Sequence, residues 1–106
     1  MDIQQTNIGQ NFYFIDRINK TEGAIVEYGT LRSMLPKYNF RDAFGSNFKR
    51  ESNFLFSVLT DTKEEVSKAI TNENVVFENL CDVIKYCQSC KVGILFGYSV
   101  VAKGNK

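Results

Sequence analysis

Three cysteines in one short segment are the first residues whose spacing could support chemistry. Cys87 and Cys90 have the CxxC spacing of a redox pair or of half a zinc site, and Cys81 lies just before them. Redox CxxC motifs lie at a helix N-terminus, where the helix dipole lowers the thiol pKa, but this pair falls at a predicted helix C-terminus. A zinc site needs four ligands. We therefore interpret the cysteines as packing residues, and the alternative is a zinc ion shared across a dimer.

The chain contains no histidine. It thus lacks the usual general base near neutral pH and the base of Ser-His and Cys-His nucleophilic systems. Neither a Walker pattern nor a GxGxxG pattern is present in the sequence. The closely spaced Gly93 and Gly97 lie within one predicted strand and do not form a phosphate-binding loop. These observations disfavour the common catalytic routes. We predict a binding protein that is not an enzyme, with no cofactor and no metal, and an enzyme using carboxylates, tyrosine or cysteine is the least favoured alternative.

A concentration of acidic side chains is the first candidate binding surface. Residues 61 to 82 hold six acids and two lysines, a net charge of about −4, whereas residues 83 to 106 hold four lysines and no acid. Paired carboxylates can bind a hard cation or perform acid/base chemistry, although such charges usually form a solvated face. Complementary fields favour a basic protein partner such as a toxin or nuclease. The predicted acidic face consists of Asp61, Glu64, Glu65, Glu78 and Asp82.

The second candidate surface interleaves aromatic and basic side chains between residues 37 and 50. Such a segment can stack nucleic-acid bases and neutralise phosphates, or it can form a protein hot spot. Its three phenylalanines also recur at helical spacing, which is equally typical of residues that pack into a core. The candidate residues are Tyr38, Phe40, Arg41, Phe44, Phe48, Lys49 and Arg50.

Length and composition predict one globular domain. The chain has 106 residues, of which 43% are hydrophobic and 24% are charged. No run approaches the roughly 20 apolar residues needed to cross a bilayer, and residues 1 to 10 do not resemble a signal peptide. Three clustered cysteines suit a reducing compartment, so we predict a cytoplasmic protein. We expect frayed ends at about residues 1 to 8 and 102 to 106.

Hydrophobic periodicity predicts the elements that position these residues. A β-hairpin is expected over residues 11 to 18 and 23 to 28, a helical turn over 30 to 35, and a kinked helix or loop over 37 to 51. A buried central strand is expected over 53 to 60, helices over 62 to 70 and 77 to 88, and a strand over 92 to 101. Val75 and Val76 form a short strand in an alternative reading.

This order predicts an α+β fold, a four-stranded, mainly antiparallel sheet with two helices packed on one face. Small size, segregated charge and missing catalytic templates favour a protein-binding inhibitor. Immunity proteins, antitoxins and phage anti-defence proteins, which block a toxin or nuclease, exemplify this class. The alternative is a protein that binds nucleic acid or sequesters an anionic nucleotide ligand through residues 37 to 50. The sequence leaves a homo-oligomer open and predicts no membrane contact.

Overall fold

The computed structural model describes residues 3–39 and 49–104 and shows an α+β fold of six strands and two short helices. Two single-turn 3₁₀ helices, at Gln5–Asn7 and Glu73–Val75, accompany them. The strands are β1 (Asn11–Asn19), β2 (Gly23–Asn39), β3 (Lys49–Leu59), β4 (Glu65–Ile70), β5 (Val76–Phe77) and β6 (Ile94–Phe96), and the helices are α1 (Leu80–Ser89) and α2 (Tyr98–Gly104).

All the strands belong to one sheet, in which five follow the order β4-β3-β2-β1-β5 through antiparallel pairs. The 17-residue strand β2 is shared among three neighbours. One edge of β2 pairs with β1 as far as Thr30. The other edge pairs first with β6, in parallel over Ala24–Val26, and then with β3 from Gly29 onward. The sheet is larger than the four strands predicted because both β4 and β5 join it.

The sheet must curl, because β4 and β5 lie at opposite ends of the strand order yet only residues 71 to 75 connect them. Register shifts at Asp16 in β1 and at Arg32 in β2 add the local bends that such bulges produce. An ion pair of 3.3 Å between Lys68 Nζ and Asp16 Oδ2 spans from β4 to β1.

The face of the sheet enclosed by this curl carries the aromatic core. Phe56 is fully buried, with its ring stacked on Phe14 at 4.6 Å and edge-on to Phe12 at 6.3 Å between centroids. The aromatic core comprises Ile3, Phe12, Phe14, Leu31, Phe54, Phe56, Val58, Ile70 and Val76.

The other buried cluster is the helix-covered core. Side chains alternate between the faces of a strand, so Tyr13 and Ile15 lie opposite to Phe12 and Phe14. Helix α1 packs Val83 and Cys87 into this cluster, and α2 adds the half-buried Val100. Its buried members are Tyr13, Ile15, Ala24, Val26, Val83 and Cys87.

The structure confirms several predicted elements. The β1–β2 hairpin closes through Asn19, whose Oδ1 accepts hydrogen bonds from the Thr21 amide at 2.9 Å and the Thr21 hydroxyl at 2.6 Å. The strand over 53 to 60 is β3, and the helix over 77 to 88 is α1, although it begins at Leu80. The alternative short strand at Val75 and Val76 corresponds to β5 at Val76–Phe77.

The helix predicted over residues 62 to 70 is wrong, because this segment forms a tight turn and strand β4. Lys63 adopts a φ of 64°, which no right-handed helix allows. The Thr60 hydroxyl accepts from the Glu64 amide at 3.3 Å and donates to its carbonyl at 3.1 Å. The turn between Thr60 and Glu64 therefore closes a β-hairpin between β3 and β4.

Three other assignments also need correction. The helical turn predicted at 30 to 35 lies within β2, and the ends of the segment 37 to 51 belong to β2 and β3. Phe40, Arg41, Phe44 and Phe48 lie outside the described residues. The strand predicted over 92 to 101 ends at Phe96, and α2 begins at Tyr98.

At both ends the described residues contribute to the packed structure. Ile3 is buried, and its amide donates to Glu73 Oε2 at 3.4 Å, while Ala102 and Lys103 belong to α2. Within residues 3–39 and 49–104, no helix has the length and apolarity to span a membrane.

Candidate functional site

The structure divides the predicted acidic face into two groups. Asp61 and Glu64 lie in the β3–β4 turn and Glu65 begins β4, whereas Glu78 precedes α1 and Asp82 lies in its first turn. All five are exposed. They do not share a helix face, because the first group lies on the β3–β4 hairpin and the second lies beside β5.

The second group lies at one depression of the surface. Glu78 and Asp82 line a depression together with Val76 and Phe77. Two carboxylates beside a half-buried aromatic ring can contact a cationic side chain. In the described part of the chain, no group of three or more Asp, Glu or Cys side chains is arranged to hold a metal ion.

The aromatic-basic segment is described only at its two ends. Tyr38 lies directly opposite Arg50 in the antiparallel β2–β3 ladder, and Asn39 lies opposite Lys49. The register thus brings one aromatic and two basic residues to the same end of a long hairpin. Binding of nucleic acid or nucleotide through this segment stays a prediction.

The three cysteines are free thiols in different surroundings. Cys87 is buried in the helix-covered core, while Cys81 and Cys90 are exposed. Burial raises the pKa of the Cys87 thiol, and the nearby Cys90 raises it further. Burial and the same Cys90 also raise the pKa of Tyr86. Cys90 caps the C-terminus of α1, so the pair lies at the opposite end of the helix from the cysteines of redox CxxC motifs. Of the three, only Cys87 has the core-packing environment that we predicted.

A cleft of about 210 Å³ lies between α2 and the sheet. Lys103 Nζ donates to the Tyr13 hydroxyl at 2.6 Å and lies 4.2 Å from the centroid of the Tyr28 ring. The pKa of Lys103 is raised, chiefly by the hydrogen bond to Tyr13. Burial lowers this pKa, and the charge interaction with Tyr28 raises it. The lining of this Lys103 cleft includes Asn11, Tyr28, Thr30, Ser57, Glu65 and Lys103.

Polar contacts attach α2 to β2 on the same side. Ser99 is buried, its Oγ accepts from the Tyr28 amide at 2.9 Å, and it donates to Glu27 Oε2 at 2.8 Å. A Cβ atom at Gly97 would overlap the Glu27 carboxylate, so glycine lets this carboxylate lie against the start of α2. Ser99 and Glu27 therefore hold the start of α2 against β2.

Among the residues whose exposure the structure describes, the largest group of exposed, large apolar side chains that are close in sequence lies where β6 meets α2. We name this surface the β6–α2 patch. Tyr98 and Val101 are at i, i+3 spacing on α2, which places them on one side of the helix. Its four members are Leu95 at 41% exposure, Phe96 at 45%, Tyr98 at 37% and Val101 at 49%.

Sequence reasoning missed this patch because it assigned residues 92 to 101 to one strand, in which alternate residues form a bulky face and a mostly small face. Phe96 and Tyr98 share the bulky face in a continuous strand, but the turn at Gly97 separates them and leaves both exposed. The available signal was compositional: residues 92 to 101 contain large apolar side chains and no charge at all.

A comparison of the chain with protein families, curated proteins and solved structures finds no match.

Proposed function

We propose that this protein is a small protein-binding module that inhibits its partner, in the manner of immunity proteins and antitoxins. The observation that carries the proposal is the β6–α2 patch, four large apolar side chains that are all exposed within residues 95 to 101. Monomeric proteins rarely expose contiguous apolar surface without a binding role. Scattered exposed residues such as Ile8 and Ile18 need no such explanation.

The composition of the patch fits a protein interface. Aromatic side chains are enriched at interface hot spots, and the patch offers Phe96 and Tyr98 beside Leu95 and Val101. Fully burying one such side chain contributes roughly 1.5–3 kcal/mol. Because each patch residue is already more than one third exposed, a partner can bury much of this surface without any unfolding of the module.

The acidic depression at Glu78 and Asp82 is a separate candidate contact, suited to a basic toxin or nuclease. Exposed charges of this kind affect association rate more than affinity. We therefore assign the larger part of the binding energy to the patch. We place the activity in the cytoplasm, where thiols such as those of Cys81 and Cys90 stay reduced.

The test is quantitative capture from an extract of the source cells. Immobilised wild-type protein should retain one stoichiometric partner, and the double variant Leu95→Ser/Phe96→Ser should retain it at least tenfold less. The matched control is Glu78→Lys/Asp82→Lys, which changes the other surface. Circular dichroism checks that both variants fold, and the partner's own activity should fall when wild-type protein is added.

Equal capture by wild-type protein and the patch variant would remove the patch from the proposal. Loss of capture in the Glu78→Lys/Asp82→Lys variant alone would transfer the binding site to the acidic depression.

A second candidate function is binding of nucleic acid or of an anionic nucleotide ligand at the β2–β3 end. The observation that favours it is the register of Tyr38 opposite Arg50, with Lys49 adjacent. Binding of single-stranded RNA should weaken steeply with salt, because each neutralised phosphate releases counterions. Fluorescence anisotropy at low salt measures this, with Lys49→Ala/Arg50→Ala as the variant. No binding at low salt excludes the candidate.

A further inference from the structure

The Lys103 cleft has two side chains of opposite charge in its lining, Lys103 and Glu65. Within residues 3–39 and 49–104 the one ion pair joins Lys68 to Asp16, so Lys103 and Glu65 are paired neither with each other nor with another described residue. Oppositely charged groups attract each other, yet these two line one cleft without meeting. The space between them suits a molecule that carries both charges.

The strand registers fix where the two charges lie. Glu65 lies opposite Leu59 in the β3–β4 ladder. Because Gly29 lies opposite Val58 in the β2–β3 ladder, Tyr28 belongs to the same row as Leu59. Glu65 is therefore two strands away from Tyr28, a backbone separation of about 10 Å at the usual spacing between strands. The half-buried Leu59 forms the floor between them.

The ammonium group of Lys103 lies at the Tyr28 end of this row. Its Nζ is 4.2 Å from the centroid of the Tyr28 ring and 4.6 Å from that of Tyr13, and it donates to the Tyr13 hydroxyl at 2.6 Å. Both partners are uncharged, and this hydrogen bond uses one of the three donors of an ammonium group. Lys103 can therefore donate a charge-assisted hydrogen bond to a carboxylate in the cleft.

A second row of polar side chains lies beside the charges. Thr30 lies opposite Asn11 of β1 and opposite Ser57 of β3, and all three line the cleft. The Thr30 hydroxyl donates to Asn11 Oδ1, and hydroxyl groups can both donate and accept. The cleft volume of about 210 Å³ is below the roughly 300–1,000 Å³ of pockets that hold drug-sized ligands. This row and this volume suit a small polar molecule.

We propose that the Lys103 cleft binds a small zwitterion, a free α-amino acid, with its carboxylate on Lys103 and its ammonium group on Glu65. A simple anion meets the like charge of Glu65, and a simple cation meets that of Lys103. An apolar ligand desolvates both charges without compensation. A zwitterion meets a complementary charge at each end of the row. The site goes beyond the proposed function, since no member of the β6–α2 patch lines the cleft.

The experiment is a titration of the full chain with L-serine, followed by NMR of the backbone amides. Two truncated probes serve as matched controls: 3-hydroxypropionate lacks the ammonium group, and ethanolamine lacks the carboxylate. L-Serine at millimolar concentration should shift the amide signals of Thr30, Ser57 and Ala102 along saturable curves. Each truncated probe should bind about fivefold more weakly, the upper end of what one exposed ion pair contributes.

Two variants assign each charge of the ligand to its partner. Glu65→Gln should weaken binding of L-serine about fivefold and leave that of 3-hydroxypropionate unchanged, because this probe has no ammonium group to lose. Lys103→Gln should weaken L-serine and leave ethanolamine unchanged. The matched control is Glu64→Gln, which neutralises the neighbouring exposed carboxylate outside the cleft lining and should bind L-serine like the wild-type protein.

Three results would overturn the inference. The first is the absence of saturable shifts at the three amides. The second is equal affinity for L-serine and both truncated probes, because the two charges then do not select the ligand. The third is equal weakening by Glu65→Gln and Glu64→Gln, which reduces the effect to net charge. If Lys103→Gln fails to fold, the comparison of Glu65→Gln with Glu64→Gln decides alone, since both residues are exposed.

Discussion

The two buried clusters in the described part of the chain are closed in different ways. The aromatic core is enclosed by the curled sheet and the connection between β4 and β5, and its members are all apolar. The helix-covered core is closed by two short helices, and polar contacts at Ser99 and Lys103 hold α2 in place. The first arrangement favours stability. The second leaves the Lys103 cleft and the β6–α2 patch at the surface, so we expect function on that side.

The largest effect should come from breaking the aromatic core. Phe56→Ala removes a fully buried ring that contacts both Phe12 and Phe14, and we expect it to lower the free energy of unfolding by about 4 kcal/mol. The control is Phe96→Ala, the same change at a residue that is 45% exposed, which should cost less than about 1 kcal/mol. Urea denaturation measures both, and equal losses would refute the contrast between the two sides.

The next largest effect should come from a substitution at Gly23, which lies against Gly93 just before β6. Gly23 has a φ of 103°, and a Cβ atom there would lie 2.5 Å from the Gly93 carbonyl oxygen. Gly23→Ala should therefore cost about 3 kcal/mol, from backbone strain and steric overlap together.

Gly9 provides the matched control for this substitution. Its φ is 95°, but nothing lies within 4 Å of an added Cβ atom. Gly9→Ala should cost only about 1 kcal/mol by thermal denaturation, from the backbone strain alone. Similar costs at the two glycines would mean that the contact with Gly93 adds no strain.

The smallest effect concerns the polar contacts of α2. Lys103→Met removes the hydrogen bond to Tyr13 and the contact with the Tyr28 ring, and should cost about 1 kcal/mol at neutral pH. The pKa of Lys103 is raised in the folded protein, so its contribution is complete below the unfolded pKa and is lost as pH rises through the folded value.

Denaturation series at neutral and strongly alkaline pH measure the difference in free energy of unfolding between the wild-type protein and Lys103→Met. This difference should be smaller at alkaline pH. The exposed helical Lys85→Met serves as the control and should change stability by less than about 0.5 kcal/mol at either pH. A difference that persists in alkali would show that packing of the lysine stem, and not its charge, holds α2.

The elements that sequence reasoning found are those with a strong local signal. The β1–β2 hairpin has a polar turn between apolar strands, and α1 has a helical stripe ending in the buried Cys87. The strand β3 is central as predicted, but its burial alternates, with Phe54, Phe56 and Val58 buried and Leu55 and Leu59 only half-buried. These segments needed no information from distant parts of the chain.

The wrong assignments concern segments whose secondary structure depends on pairing with residues far away in the sequence. Residues 65 to 70 become a strand because β3 offers a ladder from Leu59 to Phe54. Pro36 stays within β2 because, beyond Thr30, that strand pairs only with β3, and a missing N–H is tolerated at such an edge. The valines of α2 form a helix despite their β propensity, because Ser99 bonds to β2. The patch became visible only with these corrections.

The parallel pair between Ala24 and Ile94 has a consequence for the order of folding. It joins residues far apart along the chain, and Tyr28 and Ser99 are 71 positions apart. Contacts of such long separation form late and slow the folding reaction. On the ribosome, the hairpin of β1 and β2 emerges well before β6 and α2. The surface proposed to bind a partner is therefore completed later than the β1–β2 hairpin.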